Sequence, residues 1–553
     1  MERSNYLRST TVSDLVGWYP LVFLALAVGL PLGYLNQPLH FDEAIYLVVA
    51  EQVAGSGRLY ADVADHKTPL IYVIAAAAYE LTPRPVHLLR LLTYAVTAAS
   101  AALVVRLGRR VFGRAVGMAA GLVFLTMSYL PHFDGFFYMT EPWATLTMLV
   151  AALLLLREEP IADAGAGVAL AVGVLFNQTV FLFGAAVILV HAVGLRYPER
   201  RTRRYVVDSL RRLLVVGAGF LVAVALALAA FYVRGTLDEL LYYAVVLPAS
   251  AYDTQFELYG HLLALGTLLP VWLLSGWTLL RVADAVARGR TVDDGVLLVA
   301  VWAAVLSVPG ATGFSGDHKL LFAFPAIALL ATVGAARAAE RARRDLRPVG
   351  GLRERLPERS TAVTFLLVAT LLCSGVVAAG GNVWYAVLLQ DEDLGDQRRS
   401  VDGIADHVEG DVYGYPVQAQ VFYHADGIEP ATTWVGHVYA DEVVTPAVAA
   451  LRSGTVDYVV VRKGHVVDGR VVTKGYWPEQ KEPIVAQINA RYEPVAETDT
   501  YVVFGRADGT NRTDARNRAT GRPTPRASRA PSPPRARPSC GSPRARRRGR
   551  PSR

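Results

Sequence analysis

The sequence predicts a polytopic α-helical membrane protein with about 11 transmembrane helices, followed by a small C-terminal α/β domain on the extracytoplasmic side. Three observations carry that prediction. Hydrophobic residues make up 53% of the 553 positions and charged residues only 19%, against about 25% charged in soluble domains. This excludes a soluble multidomain enzyme and a disordered protein. Apolar stretches of bilayer length recur from the N-terminus to about Leu389. Arginine clusters fall in alternate short connections, the pattern that cytoplasmic loops show. The two cysteines, Cys373 and Cys540, form neither a disulfide framework nor a CxxC site.

In chain order the predicted spans are 16–35, 86–107, 115–130, 142–156, 165–176, 180–195, 213–233, 261–280, 296–309, 320–336 and 362–389. Arg106, Arg109, Arg110 and Arg114 form the first basic cluster, and Arg196, Arg200, Arg201, Arg203 and Arg204 the second. Arg281, Arg288 and Arg290 follow, then the run from Arg337 to Arg359. With a cytoplasmic N-terminus all four lie inside, and an odd number of spans places everything after Leu389 outside. The outer connections, above all 36–82, are instead rich in Asp, Glu, His, Tyr and Pro.

Residues 1–389 thus form the expected membrane domain. Residues 390–506 read as a small α/β domain: β-branched runs at 411–415, 456–462 and 501–504 alternate with helical patterns at 446–452 and 484–492. Residues 507–553, almost wholly Arg, Pro, Ser, Gly, Ala and Thr, lack the large hydrophobic side chains that offset ordering entropy, and read as a disordered tail. The net charge of +7 suggests nucleic acid only until it is divided. From Arg506 onward there are 15 Arg and 2 Asp, whereas 391–505 holds 19 acidic against 9 basic residues. The sum averages a basic inner rim, an acidic outer domain and an arginine tail, so it describes no nucleic-acid surface.

The first outer loop concentrates reactive side chains. It begins His40-Phe41-Asp42-Glu43-Ala44-Ile45-Tyr46, passes Gly57-Arg58-Leu59-Tyr60-Ala61-Asp62, and reaches Asp65-His66-Lys67-Thr68-Pro69-Leu70-Ile71-Tyr72. On a helix opening at Asp42, Tyr46 lies one turn on, on the same face. A purely structural alternative makes Asp42 an N-cap and Lys67 a snorkelling interfacial lysine. Lysine is scarce, however: Lys67, Lys319, Lys463, Lys474 and Lys481 are the only five, and the first two stand at outer ends of spans.

Asp42-Glu43-x-x-Tyr46, then Gly57-x-x-Tyr60, Asp62 and His66-Lys67-Thr68-Pro69-Leu70, resembles the first outer loop of the GT-C glycosyltransferases. More narrowly, it is similar to the protein O-mannosyltransferase and lipid A aminoarabinose transferase family, which carries Asp-Glu there and a Lys-Pro-Pro-Leu-type block. Met139-Thr140-Glu141-Pro142 is similar to that family's Leu-Thr-Asp-Pro segment, with Glu for Asp. His318-Lys319-Leu320-Leu321-Phe322-Ala323-Phe324-Pro325 resembles its His-Tyr-Leu-Leu-Pro-x-x-Pro helix. The resemblance covers roughly residues 15 to 340. It implies a GT-C fold, a lipid-phosphate-linked sugar donor and a catalytic set of Asp42, Glu43 and Glu141. Where the family usually has a Lys between the fifth and sixth spans, Phe176-Asn177-Gln178-Thr179 stands here, so Asn177 and Gln178 become the binding candidates at that turn. The Trp-Trp-Asp-Tyr-Gly motif of the oligosaccharyltransferase branch is absent, and nothing in the outer domain reads as catalytic.

The chemistry asks for these residue types independently. Inverting transfer from a polyprenyl or dolichyl phosphate needs a base for the acceptor hydroxyl and cations for the departing phosphate. Asp42 is the expected base and Lys67 the principal cation, with Arg58 and Arg90 as weaker ones. Tyr46, Tyr60 and Tyr72 are expected to bind phosphate or sugar, as are His318 and Lys319. A polar Glu141 at a span's end marks a site by its cost of burial. No cofactor is required. A divalent ion is an option for which Asp65, His66 and His261 are weak ligand candidates, without fixed ligand spacing. The expected product is a hexose, most simply mannose, placed on a glycan or protein acceptor. The alternatives are a transporter or lipid-linked glycan flippase, against which the gathering of charges at outer ends weighs, and a receptor-like membrane protein.

Overall fold

The computed structural model describes residues 19–507, except 198–199, 252–267, 312–316, 346–392, 409, 417–418, 426–427, 438–439 and 475–477. The expected span 362–389, the tail beyond residue 507 and His261 lie outside the described residues. Each earlier predicted span overlaps a helix where its residues are described, 261–280 only from Leu269 onward. Val86–Val111, Arg203–Arg234 and Leu269–Ala287 are long and apolar enough to cross a membrane, and Tyr19–Leu32, Arg114–Ser128, Thr140–Leu155, Pro160–Phe176, Gln178–Gly194 and Asp294–Leu306 are shorter apolar helices. The span expected at 320–336 begins in the turn Asp317–Phe322 and continues as the helix Phe324–Asp345. Local chemistry sets several ends. Thr202 accepts the Tyr205 N–H at the start of Arg203–Arg234, Asp293 accepts two N–H groups at the start of Asp294–Leu306, and Pro160 stands in the first turn of its helix.

These helices share one apolar core in which Trp302, Phe183, Leu149 and Leu330 are sealed from solvent. Two helices of the first outer loop keep their buried side chains in a second cluster, with only Leu70 and Ile74 packed against this one. Phe41–Ala54 and Leu70–Tyr79 pack against each other, and Asp42 through Ala50 are all buried. The C-terminal domain buries them from one side and the helical domain from the other: one apolar cluster runs from Ile45, Leu47 and Val48 into Val401, Ile404, Phe422 and Val460, and includes Leu89, Tyr138 and Met139.

That domain contains a five-stranded mixed sheet with order β2-β1-β3-β7-β6. Its strands are β1 Gly410–Tyr415, β2 Ile428–Pro430, β3 Tyr458–Arg462, β6 Tyr492–Glu497 and β7 Tyr501–Arg506, while β4 Val466–Val467 and β5 Arg470–Val471 form a separate hairpin. β1 runs parallel to β2 and β3, and β7 antiparallel to β3 and β6. β3 reads Tyr-Val-Val-Val-Arg because both its faces are covered. Val460 points into the cluster shared with the loop helices. Val459 and Val461 point to the other face, where helices Asp441–Ser453 and Pro478–Arg491 supply Val443, Leu451, Ile484 and Ile488. The predicted α/β pattern therefore holds for β1, β3, β7 and these two helices. The short β2, the edge strand β6 and the helices Leu394–Ala405 and Ala419–His424 add to it. The domain is also hydrogen-bonded to the loop: the Leu394 N–H donates to the Asn36 carbonyl at 3.0 Å, and the Leu39 N–H to Gln397 Oε1 at 3.0 Å.

Candidate active site

The helix Phe41–Ala54 opens one residue earlier than the sequence suggests. His40 is its N-cap, and its Nδ1 accepts the Asp42 N–H at 3.2 Å. Asp42 is therefore not the cap, and its carboxylate points instead toward the C-terminal domain. There His437 Nε2 lies 3.2 Å from Asp42 Oδ1, with Asp42 only 8% exposed. Burial works to raise the Asp42 pKa, but the His437 hydrogen bond and the charge of Lys67 prevail and hold it well below the ordinary carboxylate value. A nearly buried carboxylate is thus kept ionised.

Glu43, the next residue, turns to the opposite side. Arg90 grips it in a two-pronged ion pair, Nε to Oε1 at 2.9 Å and Nη2 to Oε2 at 2.6 Å, with both side chains fully buried. The Tyr138 N–H donates to the same Oε1 at 3.1 Å. Arg90 also donates to the carbonyls of Leu35 at 2.8 Å and Gln37 at 2.7 Å. This clamp fixes where the chain leaves the first span and starts the loop helix. It engages both Glu43, expected in the catalytic set, and Arg90, expected as a phosphate cation, with each other.

The Asp65-His66-Lys67 turn is held by the loop's tyrosines. Tyr72 donates its hydroxyl to Asp65 Oδ2 at 2.6 Å, and His66 Nδ1 lies 3.0 Å from Asp65 Oδ1. Burial opposes ionisation of Asp65, but His66, Tyr72 and Lys67 lower its pKa to about 2. Tyr60, held at φ 70°, a conformation that favours glycine, donates to the Lys67 carbonyl at 2.7 Å. The hydroxyls of Tyr60 and Tyr72, expected on substrate, thus shape the loop. Tyr46 sits between the rings of Tyr72 and Tyr138 in edge contacts, buried with them. Arg58 stays at the exposed loop tip, paired with Asp62 at 3.0 Å, and does not join the site.

Four segments distant in sequence meet on the other side of Lys67. Glu141, fully buried in the first turn of Thr140–Leu155, accepts from Asn177 Nδ2 at 3.1 Å and has His318 Nε2 3.9 Å from the same Oε1. Its Oε2 carries no hydrogen bond among the described residues. Gln178 donates from Nε2 to the carbonyls of His66 at 3.0 Å and Ala244 at 2.9 Å, so it braces the loop. Lys319 is 7% exposed and within electrostatic reach of Lys67, Glu141 and Asp42. Burial and the like charge of Lys67 lower its pKa to about 8 against the pull of those two carboxylates. Asp42, Lys67, Lys319, Glu141 and His318 are thus linked electrostatically: two carboxylates, two lysines and an imidazole, all nearly buried.

The arrangement suits a phosphate beside an alcohol, and comparison with solved structures places the scaffold. The chain is similar to ArnT, the lipid A aminoarabinose transferase from Cupriavidus metallidurans, solved bound to undecaprenyl phosphate. The two are 15% identical over 91% of this chain and 99% of that one, with a TM-score of 0.54. It is also similar to the archaeal oligosaccharyltransferase AglB from Archaeoglobus fulgidus, solved with an inhibitory peptide and a dolichol-phosphate, at 11% identity over 89% of this chain and 74% of that one and a TM-score of 0.54. The chain has the GT-C fold. No family model and no curated protein matches it.

Within the GT-C fold, a divalent ion finds no ready donor set among the described residues. No three His, Cys, Asp or Glu side chains converge, and Asp65 has one oxygen on His66 and the other on Tyr72. The residue that sequence reasoning missed is His437. The only local signal for it is Trp434-Val435-Gly436-His437, which combines an aromatic anchor, a glycine and a titratable side chain in a connection of an otherwise ordinary α/β domain.

Proposed function

We propose that the protein is an integral membrane glycosyltransferase of the cell membrane. It takes a hexose, mannose being the simplest assignment, from a polyprenyl- or dolichyl-phosphate donor and passes it, with inversion, to a glycan or protein acceptor on the extracytoplasmic face. The observation that carries this reading is the nearly buried, ionised Asp42 carboxylate of a GT-C scaffold with Lys67 and Lys319 in electrostatic reach. Asp42 accepts the acceptor's hydroxyl proton as that oxygen attacks the anomeric carbon. The bond from that carbon to the phosphate oxygen breaks, and its electron pair leaves on the lipid phosphate, where the two lysines offset the added charge. Glu141, held by Asn177 and beside His318, partly offsets the charge of Lys319. Glu43 positions Asp42 from below through the Arg90 clamp. The C-terminal domain lies on the extracytoplasmic side together with the loop it covers.

Purified protein given a radiolabelled polyprenyl-phosphate hexose tests the reading. Transfer by the wild type and by Asp62→Asn, with loss in Asp42→Asn, is the expected result. Equal activity in wild type and Asp42→Asn would remove the mechanism. Membrane translocation of the labelled lipid without any sugar transfer would point to the flippase instead.

A further inference from the structure

We propose that His437 is a positioning residue for Asp42, which makes the Thr432–His437 strap of the C-terminal domain part of the catalytic unit. The inference rests on the glycosyltransferase reading above and names a residue and a domain which that reading does not require.

The strap is attached to the first outer loop at several independent points. Its backbone pairs with the loop: the Ala64 N–H donates to the Thr433 carbonyl at 2.8 Å, and the Val435 N–H returns to the Ala64 carbonyl at 3.2 Å. Trp434 is wedged beside it, its ring stacked on Tyr243 at 5.8 Å and 6.4 Å from the His66 ring. Two bonds shape the strap from within. Thr432 Oγ1 donates to the Trp434 carbonyl at 2.9 Å, and Trp434 Nε1 to the His437 carbonyl at 3.1 Å. Gly436 is the point of closest approach. A Cβ there would collide with Asp65 Oδ1 and stand 3.0 Å from the Trp434 ring, so glycine lets the strap lie this close to the loop. His437 leaves this fixed backbone and meets Asp42 at 3.2 Å, with the Phe41 ring edge-on at 6.3 Å.

The geometry decides what the imidazole does. Asp42 is ionised and accepts only, so His437 presents Nε2–H to Oδ1 and the tautomer follows from that bond. With Oδ1 occupied and the side-chain torsion set, Oδ2 is the oxygen left to receive the acceptor's proton. Holding a base in its productive rotamer is worth a large rate factor, because a misplacement of about 1 Å costs about 100-fold. Sequence cannot anticipate the pairing, since 395 positions separate the partners. The acceptor meets Asp42 beside a surface that the outer domain itself supplies.

The test compares H437A, H437Q and H437N in the full-length protein with the same labelled donor. H437Q keeps a donor N–H near the position of Nε2, whereas the H437N amide is one carbon short. H437A and H437N are expected to lower kcat about 10- to 100-fold with the donor KM and the Tm unchanged, and H437Q to recover most of the loss. Wild-type kcat in H437A overturns the inference. Equal loss in H437Q and H437N also overturns it, because the defect would then follow the ring and not the hydrogen bond. Should H437A not fold, the contrast of H437Q with H437N decides. Failure of the broader reading looks different: a wild type that transfers no sugar removes both, whereas transfer lost in Asp42→Asn but intact in H437A removes only the role of His437.

Discussion

Asp42 and Glu43 are neighbours in the same helical turn, and their surroundings are opposite. Glu43 faces the membrane domain, fully buried, with both oxygens closed by Arg90 and one also by the Tyr138 N–H. Asp42 faces the C-terminal domain, slightly open to solvent, with a hydrogen bond to His437 on one oxygen. Successive residues on a helix point about 100° apart, so a helix pinned between two bodies gives adjacent carboxylates to different neighbours. The difference separates two tasks. A saturated, buried pair holds position, whereas a carboxylate kept ionised with an oxygen to spare can take up a proton.

The comparison breaks most readily at its two members. Asp42→Asn is expected to lower kcat by about 10²- to 10⁴-fold, the usual worth of a general base, while leaving the Tm within a few degrees. Arg90→Met is expected to do the converse first. Stranding the Glu43 charge costs about 3–5 kcal/mol, read as a large fall in Tm and in yield of folded protein. The double variant Glu43→Leu/Arg90→Met should restore much of that stability, because removing both charges together leaves no unpaired ion. A similar Tm for Asp42→Asn and Arg90→Met would erase the distinction between the two faces.

The cations sharpen the comparison. Lys67→Met and Lys319→Met are each expected to weaken polyprenyl-phosphate binding by roughly 10- to 100-fold, since a hydrogen bond to a charged group contributes about 1.5–3 kcal/mol. Arg58→Ala, at the exposed loop tip, should stay within about twofold of wild type. An Arg58→Ala loss as large as that of Lys67→Met, measured by direct lipid binding, would move the phosphate to the loop tip.

Two smaller effects follow from pH. The folded pKa values of Asp42 and Asp65 lie below their unfolded ones, the latter at about 2. Their contribution to stability is therefore fully present above about pH 4 and is lost as pH falls through the folded values. Asp65→Asn should flatten the acid limb of a stability–pH curve. Lys319 has a folded pKa lowered to about 8. It therefore binds its proton less well folded than unfolded, and stability rises with pH from about 8 toward the unfolded lysine value. In the same range the free protein loses a phosphate cation, so kcat/KM for the donor should fall by a few-fold as pH rises through about 8. Lys319→Arg, which stays charged, should carry that fall to higher pH.

Much of this was legible in the sequence where a local rule decides it. The spans appear as apolar runs of bilayer length, and β3 as a short apolar run because both its faces are buried. Lys67 and Lys319 stand out because lysine is rare and because each lies in a connection dense in His and acidic residues. The roles of Tyr60, Tyr72, Glu43 and Arg90 were not legible. A tyrosine in a reactive loop looks the same whether its hydroxyl meets a sugar or, as here, the Lys67 carbonyl and Asp65. An Asp-Glu pair does not say which carboxylate an arginine 47 positions later will claim. His437 was missed because its segment has no periodicity or motif of its own.

The sequence by itself determined a helical chain built largely of membrane-length apolar runs, a first long loop dense in acid, histidine and tyrosine around Lys67, and an appended α/β domain. Hydrophobic run length, periodicity and residue type act over a few turns and need no knowledge of distant neighbours. Only the tertiary structure decided which carboxylate is clamped and which is kept ionised, and that a strap near residue 435 closes over residue 42. Those outcomes depend on which side chains are brought to about 3 Å from one another when water is excluded, and in a chain of this length such partners come from anywhere in the sequence.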